Sequence, residues 1–237
     1  MLRWQIAIPF LLIKLLLGNC TPGAIALVFA LLEGKRQFLE TMSSLLRWRA
    51  PIRYYLFSCA LPFSVFYTSL ALTRLYFPWP PVLRLSPARF LLELILTLPF
   101  GPLWEELAWR AYALRKLQAH YSPINSALII GLYWGTWHIP LWWLTLGLSR
   151  TTAVPVLGAA IITALSLSVI FTSLFNRAGQ SLPVVILLHG VYASASDNMF
   201  VNVQTGQLEY LGLAAFLFTC IALGFGAGMR RQLAWEP

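Results

Sequence analysis

Long apolar stretches, broken by short clusters of Pro, Gly, Arg and Lys, run along the whole chain. A helix that crosses a bilayer needs about 20 mostly apolar residues, and this pattern predicts spans at 54–77, 89–114, 125–147, 153–175, 181–200 and 210–229. Ahead of them lie two shorter apolar runs, 4–17 with Lys14 inside it and 22–32, parted by Gly18-Asn19-Cys20-Thr21-Pro22-Gly23. They read as two short helices or one broken helix, which leaves the topology of residues 1–33 open. Arg3 before an apolar run is a signal-peptide feature, but Lys14 within the run and the lack of a small-x-small site argue against cleavage. With no internal repeat, low-complexity tract or linker, the expected architecture is all-α. It is a polytopic membrane bundle of about seven to eight transmembrane helices, forming one domain over 1–237.

Composition supports the membrane reading. The chain is 59% apolar and 11% charged, with a mean hydropathy of +0.71, where a soluble globule carries about 25% charged residues. The same apolar content excludes a disordered chain. A net charge of +9 admits nucleic acid as a partner in principle, yet the basic residues are spread thinly between apolar runs. Topology and anionic lipid account for them better, so the bilayer is an expected partner and nucleic acid is not. Cys20, Cys59 and Cys220 sit in apolar stretches without CxxC spacing, which supports packing over a disulfide frame or zinc knuckle.

Loop charges set the orientation. One side holds Lys35, Arg36, Arg47, Arg49, Arg53, Arg115, Lys116, Arg177, Arg230 and Arg231, and the other only Arg74, Arg84, Arg89 and Arg150. The basic side is the cytoplasmic one. That places the 34–53 elbow, the 115–124 and 176–180 turns and the C-terminus inside the cytoplasmic membrane, with the 78–88 loop outside.

Against this background a few ionisable groups stand out. Glu93, Glu105, Glu106 and Asp197 fall in apolar spans, where a charge costs at least ~2.5–3.5 kcal/mol and marks function by default. His138 and His189 lie inside spans as well, while His120 lies in a cytoplasmic turn. Glu106 and Arg110 are separated by roughly 40° around a helix, the spacing of an ion pair; Glu105 is roughly 140° from Arg110 and projects elsewhere. One glutamate is thus free to act as a general base, the alternative being a structural Glu–Glu–Arg network. Counting from the helix starts puts Glu105 and His189 ~12–14 Å deep and His138 ~20 Å deep. Helix tilt brings such depths into one layer. Either histidine alone reads as a core residue bonded to a neighbouring helix, but three ionisable groups on three spans argue for a site.

A Glu–His–His set with no serine or cysteine beside a base points to water activation. Glu105 takes a proton from water positioned by His138, and His189 stabilises an oxyanion. Glu105, His138 and His189 are also the residues that would ligate a zinc ion. Because HExxH and Cys/His clusters are absent from the sequence, no metal and no other cofactor is expected.

The elements Glu105-Glu106-x-x-x-Arg110, Trp134-x-x-x-His138 and His189 resemble the three motifs of the CAAX-protease and bacteriocin-processing family, also called Abi or CPBP. Gly101-Pro102-Leu103-Trp104 leads into the first motif and Trp137-His138-Ile139-Pro140-Leu141 is similar to the second block. Glu33-Gly34-Lys35 with Leu46-Arg47-Trp48-Arg49 resembles its basic elbow, so the likeness covers about residues 20–230. It implies an intramembrane peptidase of about eight helices whose cavity opens to the cytoplasm. Glu105 is then the catalytic glutamate, His138 its partner on water, and His189 a contributor to the oxyanion hole. Glu106 and Arg110 become a supporting pair, and Trp134 replaces a customary Phe. The implied substrate is a peptide or small membrane protein. One departure is Ala193, which stands where the family commonly has Asn as a second oxyanion donor. Ser194, Ser196, Asp197 and Asn198 follow closely, with Asp197 expected at the outer interface. Ala193 is what favours a weakened or inactive scaffold, or bacteriocin-immunity protein, as the alternative. A transporter with a proton relay lacks the paired broken spans such folds use.

Overall fold

The structure is a computed structural model that describes residues 20–76, 86–145, 150–199 and 207–233. The 4–17 run, most of the 78–88 loop and the last four residues lie outside them. Every regular element among the described residues is helical. Helix α1 (Thr21–Leu32) starts with Pro22 in its first turn, where no intrahelical donor is needed. It ends at Gly34, whose φ of 117° turns the chain into α2 (Lys35–Ser43) and a short 3-10 turn (Ser44–Leu46). Helix α3 (Ile52–Tyr76) follows, and α4 (Pro87–Thr97) opens on Ser86, whose side chain accepts the Arg89 N–H at 3.4 Å.

The expected span 89–114 is two helices. α4 stops at Thr97, residues 98–101 turn, and α5 (Pro102–Glu106) restarts the chain. Pro99 and Pro102 each lack an N–H, and Gly101, ahead of Pro102, leaves helical angles at φ −141° and ψ −84°, which breaks a run that apolarity alone would continue. After α5 the backbone widens into a π-helix (Leu107–Leu114) and returns to α-helix in α6 (Arg115–Gln118). The remaining elements are α7 (Pro123–Thr145), α8 (Arg150–Arg177), α9 (Leu182–Met199) and α10 (Gln207–Leu233).

Helix α8 packs between α7 and α10, while α9 packs against α3, α4, α5 and α8. The core therefore runs along α8 and α9, with Ile170, Phe171, Leu182, Val184, Val185 and Leu188 all fully buried. Gly131 permits the α7–α8 contact, since a Cβ there would stand 2.8 Å from Leu165 Cα. Hydroxyls tie the layers together: Ser168 donates to the Ala127 carbonyl at 2.7 Å and Ser58 to that of Val184 at 3.0 Å.

Ile52–Tyr76, Ala153–Arg177 and Tyr210–Met229 are long and apolar enough to cross a membrane. Thr21–Leu32 and Leu182–Ser196 are shorter apolar helices. Bulky apolar residues cover the outer faces of these helices, among them Leu32, Ile52, Phe216 and Leu223. In water such a surface is unfavourable, and in lipid it is the required one.

Candidate active site

Glu105 and Glu106 stand at the last turn of α5, just where the π-helix begins. Pro102 and Gly101 start that helix, and the Glu105 N–H donates to the Gly101 carbonyl at 3.0 Å. Segments of π-helix occur often at functional sites, because the wider turn re-aims the side chains around it. The position of this segment is also fixed from α1: a Cβ on Gly23 would lie 2.5 Å from the Trp104 carbonyl oxygen.

Both carboxylates are buried, Glu105 at 5% exposure and Glu106 at 0%. Glu105 faces α7, where its Oε2 accepts the Trp134 indole N–H at 2.7 Å and lies 3.8 Å from His138 Nε2. Nδ1 of His138 is 2.8 Å from the Trp134 carbonyl. A carbonyl only accepts, so Nδ1 carries a proton, and Nε2 is the ring atom that faces the carboxylate.

Glu106 faces the other way. Its Oε1 accepts from Arg110 Nη1 at 3.1 Å and from His189 Nδ1 of α9 at 2.9 Å. The Arg110 guanidinium is fully buried and flanked by two rings, 4.7 Å from the Phe171 centroid and 5.3 Å from that of Trp134. Pairing, hydrogen bonding and cation–π contact together offset the large penalty of burying this cation.

Trp134 joins the two halves. Its indole meets His138 edge-on at 5.9 Å and His189 edge-on at 5.2 Å. The structure thus brings Glu105, His138 and Trp134 together, and Glu106, Arg110 and His189 together, around one aromatic side chain.

Other residues singled out in the sequence fall elsewhere. Glu93 is paired with Arg89 at 2.7 Å, which accounts for its place in an apolar helix. His120 is exposed, and Ala193 follows His189 by one turn of α9. Ser194 is buried on the same helix, whereas the side chains of Asp197 and Asn198 lie outside the described residues. Among the described residues, no three His, Cys, Asp or Glu side chains group as metal ligands. Sequence reasoning missed Phe171, an ordinary core aromatic by its pattern. It also missed the His189–Glu106 contact, which spans 83 positions and leaves no local signal.

The fold and site define a helical membrane protein with two buried glutamates, each engaged by a histidine of another helix. Residues 87–195 match the family described as type II CAAX prenyl endopeptidase Rce1-like. CAAX prenyl protease 2 of Methanococcus maripaludis is 31% identical over 90 residues, covering 26% of this chain and 33% of that protein. Through this segment the chain is similar to the CAAX protease family. It spans about a third of the length of the curated relative it matches.

Proposed function

We propose that this chain is an intramembrane peptidase that hydrolyses a peptide bond with water activated by Glu105 and His138. The carrying observation is the 3.8 Å separation of Glu105 Oε2 and His138 Nε2. One water oxygen at about 2.8 Å from each completes a triangle with both. The water oxygen bonds to the peptide carbonyl carbon while Glu105 takes one of its protons. The carbonyl oxygen becomes an oxyanion, the C–N bond then breaks, and the proton held by Glu105 goes to the leaving amine. No covalent enzyme intermediate forms.

His189 serves the oxyanion. Its Nδ1 is held by Glu106 Oε1 at 2.9 Å, which leaves Nε2 as the ring atom turned to the oxyanion. Arg110 and Glu106 are positioning residues for that imidazole. In this reading residues 1–237 form one domain of seven to eight spans in the cytoplasmic membrane. The C-terminus and the mouth of the site face the cytoplasm. The substrate is a peptide or small membrane protein, and neither metal nor cofactor takes part. Ala193, without a hydrogen-bonding side chain, supports the second reading, a scaffold or immunity protein with little activity.

A cleavage assay separates the two. Purified protein in detergent is offered a peptide library read by mass spectrometry, beside Glu105→Ala and a chelator arm. Cleavage lost in Glu105→Ala and kept in chelator is the expected result. Chelator sensitivity makes Glu105, His138 and His189 metal ligands instead, and cleavage unchanged in Glu105→Ala removes it as the base.

A further inference from the structure

Trp134 is 4% exposed and lies between both halves of the site. Its place could be filled by packing alone, because any large ring would cover the two imidazoles and one face of Arg110. The indole nitrogen does something packing does not require. It aims its single N–H at Glu105 Oε2 from 2.7 Å, inside the range of a strong charge-assisted bond. Among the described residues, the short polar contacts of Glu105 are this N–H and the longer approach of His138. Among the described residues no cation bonds Glu105: the Arg110 guanidinium bonds Glu106 and acts on Glu105 only through space.

We infer that Trp134 is a positioning residue whose indole N–H fixes the Glu105 carboxylate in rotamer, so that Oε2 keeps a lone pair aimed at the water it shares with His138. A buried carboxylate with no donor either swings away or takes up a proton, and in both states it stops accepting one from water. Trp134 thus assigns the two glutamates their separate tasks: Glu105 is secured by a neutral donor and stays basic, while Glu106 is secured by a cation and is spent on His189. A phenyl ring at this position supplies the same cover without the bond.

This inference rests on the peptidase reading, and one experiment separates the two. Steady-state cleavage is measured for wild type, Glu105→Ala, Trp134→Phe and Trp134→His, with thermal unfolding of each in detergent. His at this position places Nε2 two bonds from Cγ, as the indole nitrogen is placed. Losing a hydrogen bond to a charged group lowers kcat about 10- to 100-fold in Trp134→Phe with KM nearly unchanged, and Trp134→His recovers part of it. In a Glu105→Ala background Trp134→Phe has no further effect. If Trp134→Phe does not fold, incorporation of benzothienylalanine, with sulfur in place of the N–H, keeps the volume and is expected to show the same loss. The inference is overturned if the Phe or benzothienyl protein keeps wild-type kcat, or if the His variant folds and is as inert as Phe. Wild-type cleavage indifferent to Glu105→Ala, or no cleavage at all, brings down the peptidase reading and this inference with it.

Discussion

Glu105 and Glu106 are neighbours in the chain whose carboxylates serve different helices, Glu105 reaching Trp134 and His138 of α7 and Glu106 reaching His189 of α9. Consecutive helical side chains diverge by about 100°, so two adjacent acids here link two separate helices, α7 and α9, to one site. In the peptidase reading, that division gives Glu105 to the chemistry and Glu106 to the fold.

Glu105→Ala is therefore expected to abolish cleavage with an unfolding temperature close to wild type, because Glu105 is not paired with a buried cation. Glu106→Ala strands a guanidinium at 0% exposure, and removing one partner of a buried pair costs about 3–5 kcal/mol. The double variant Glu106→Leu/Arg110→Met removes both charges at similar volume. It should unfold at a higher temperature than either Glu106→Leu or Arg110→Met, though it stays inactive because His189 Nδ1 loses its acceptor. Additive destabilisation in that double-variant cycle would show that the two side chains are not coupled.

Gly23 is the closest contact between α1 and the segment that carries Glu105. A methyl group there would sit 2.5 Å from the Trp104 carbonyl oxygen and 2.9 Å from its Cα, and backbone atoms do not yield as a flexible side chain does. Gly23→Ala should cost about 1–3 kcal/mol as overpacking and lower kcat as well, since α5 must shift. Wild-type kcat in a destabilised Gly23→Ala protein would mean that α1 supports the fold without aligning the site.

The i,i+4 pairing of Glu106 with Arg110 was readable because it is local, and the apolar runs located most helix bodies. The division of 89–114 was also written in the sequence, in Pro99-Phe100-Gly101-Pro102, but a window tuned to apolarity passes over it. Glu105 belongs to a helix starting at Pro102, and a count by residue set it at a different level from His138, whose Nε2 is only 3.8 Å away. The π-helix over Leu107–Leu114 has no compositional mark; α5 before it packs against α1 and α9. Tertiary contacts such as His189 with Glu106, or Phe171 over Arg110, depend on helix packing that no single segment encodes.

At the basic elbow after α1, the exposed Glu33 carboxylate binds Lys116 and accepts the Tyr112 hydroxyl at 2.7 Å, joining α1 to the π-helix and α6. The hydrogen bond from Lys116, then that from Tyr112, holds its carboxyl below the usual value near 4.5. A lowered folded-state value means that the stabilisation is present at neutral pH and is lost as pH falls through that value. The stability difference between wild type and Lys116→Met should therefore be small but measurable near pH 7 and vanish near pH 3, as expected of an exposed pair. An equal difference at both pH values would assign the effect to the lysine stem packing on Tyr112.

Ala193 raises the last expectation. It lies one helical turn beyond His189 on α9 and is only partly buried, so a larger polar side chain has space on that face. If the oxyanion is held by His189 alone, a second donor adds stabilisation that exists only once charge has developed on the substrate oxygen. Loss of one such donor costs about 10²–10³ in rate in other enzymes. Ala193→Asn should accordingly raise kcat by at least ~10-fold with little change in KM, and the gain should disappear when His189→Ala is added, because both donors must meet at one atom. An unchanged kcat in a well-folded Ala193→Asn protein would mean that another group, with buried Ser194 the nearest hydroxyl on α9, already fills the place. Ser194→Ala in the wild-type background then becomes the variant that loses activity.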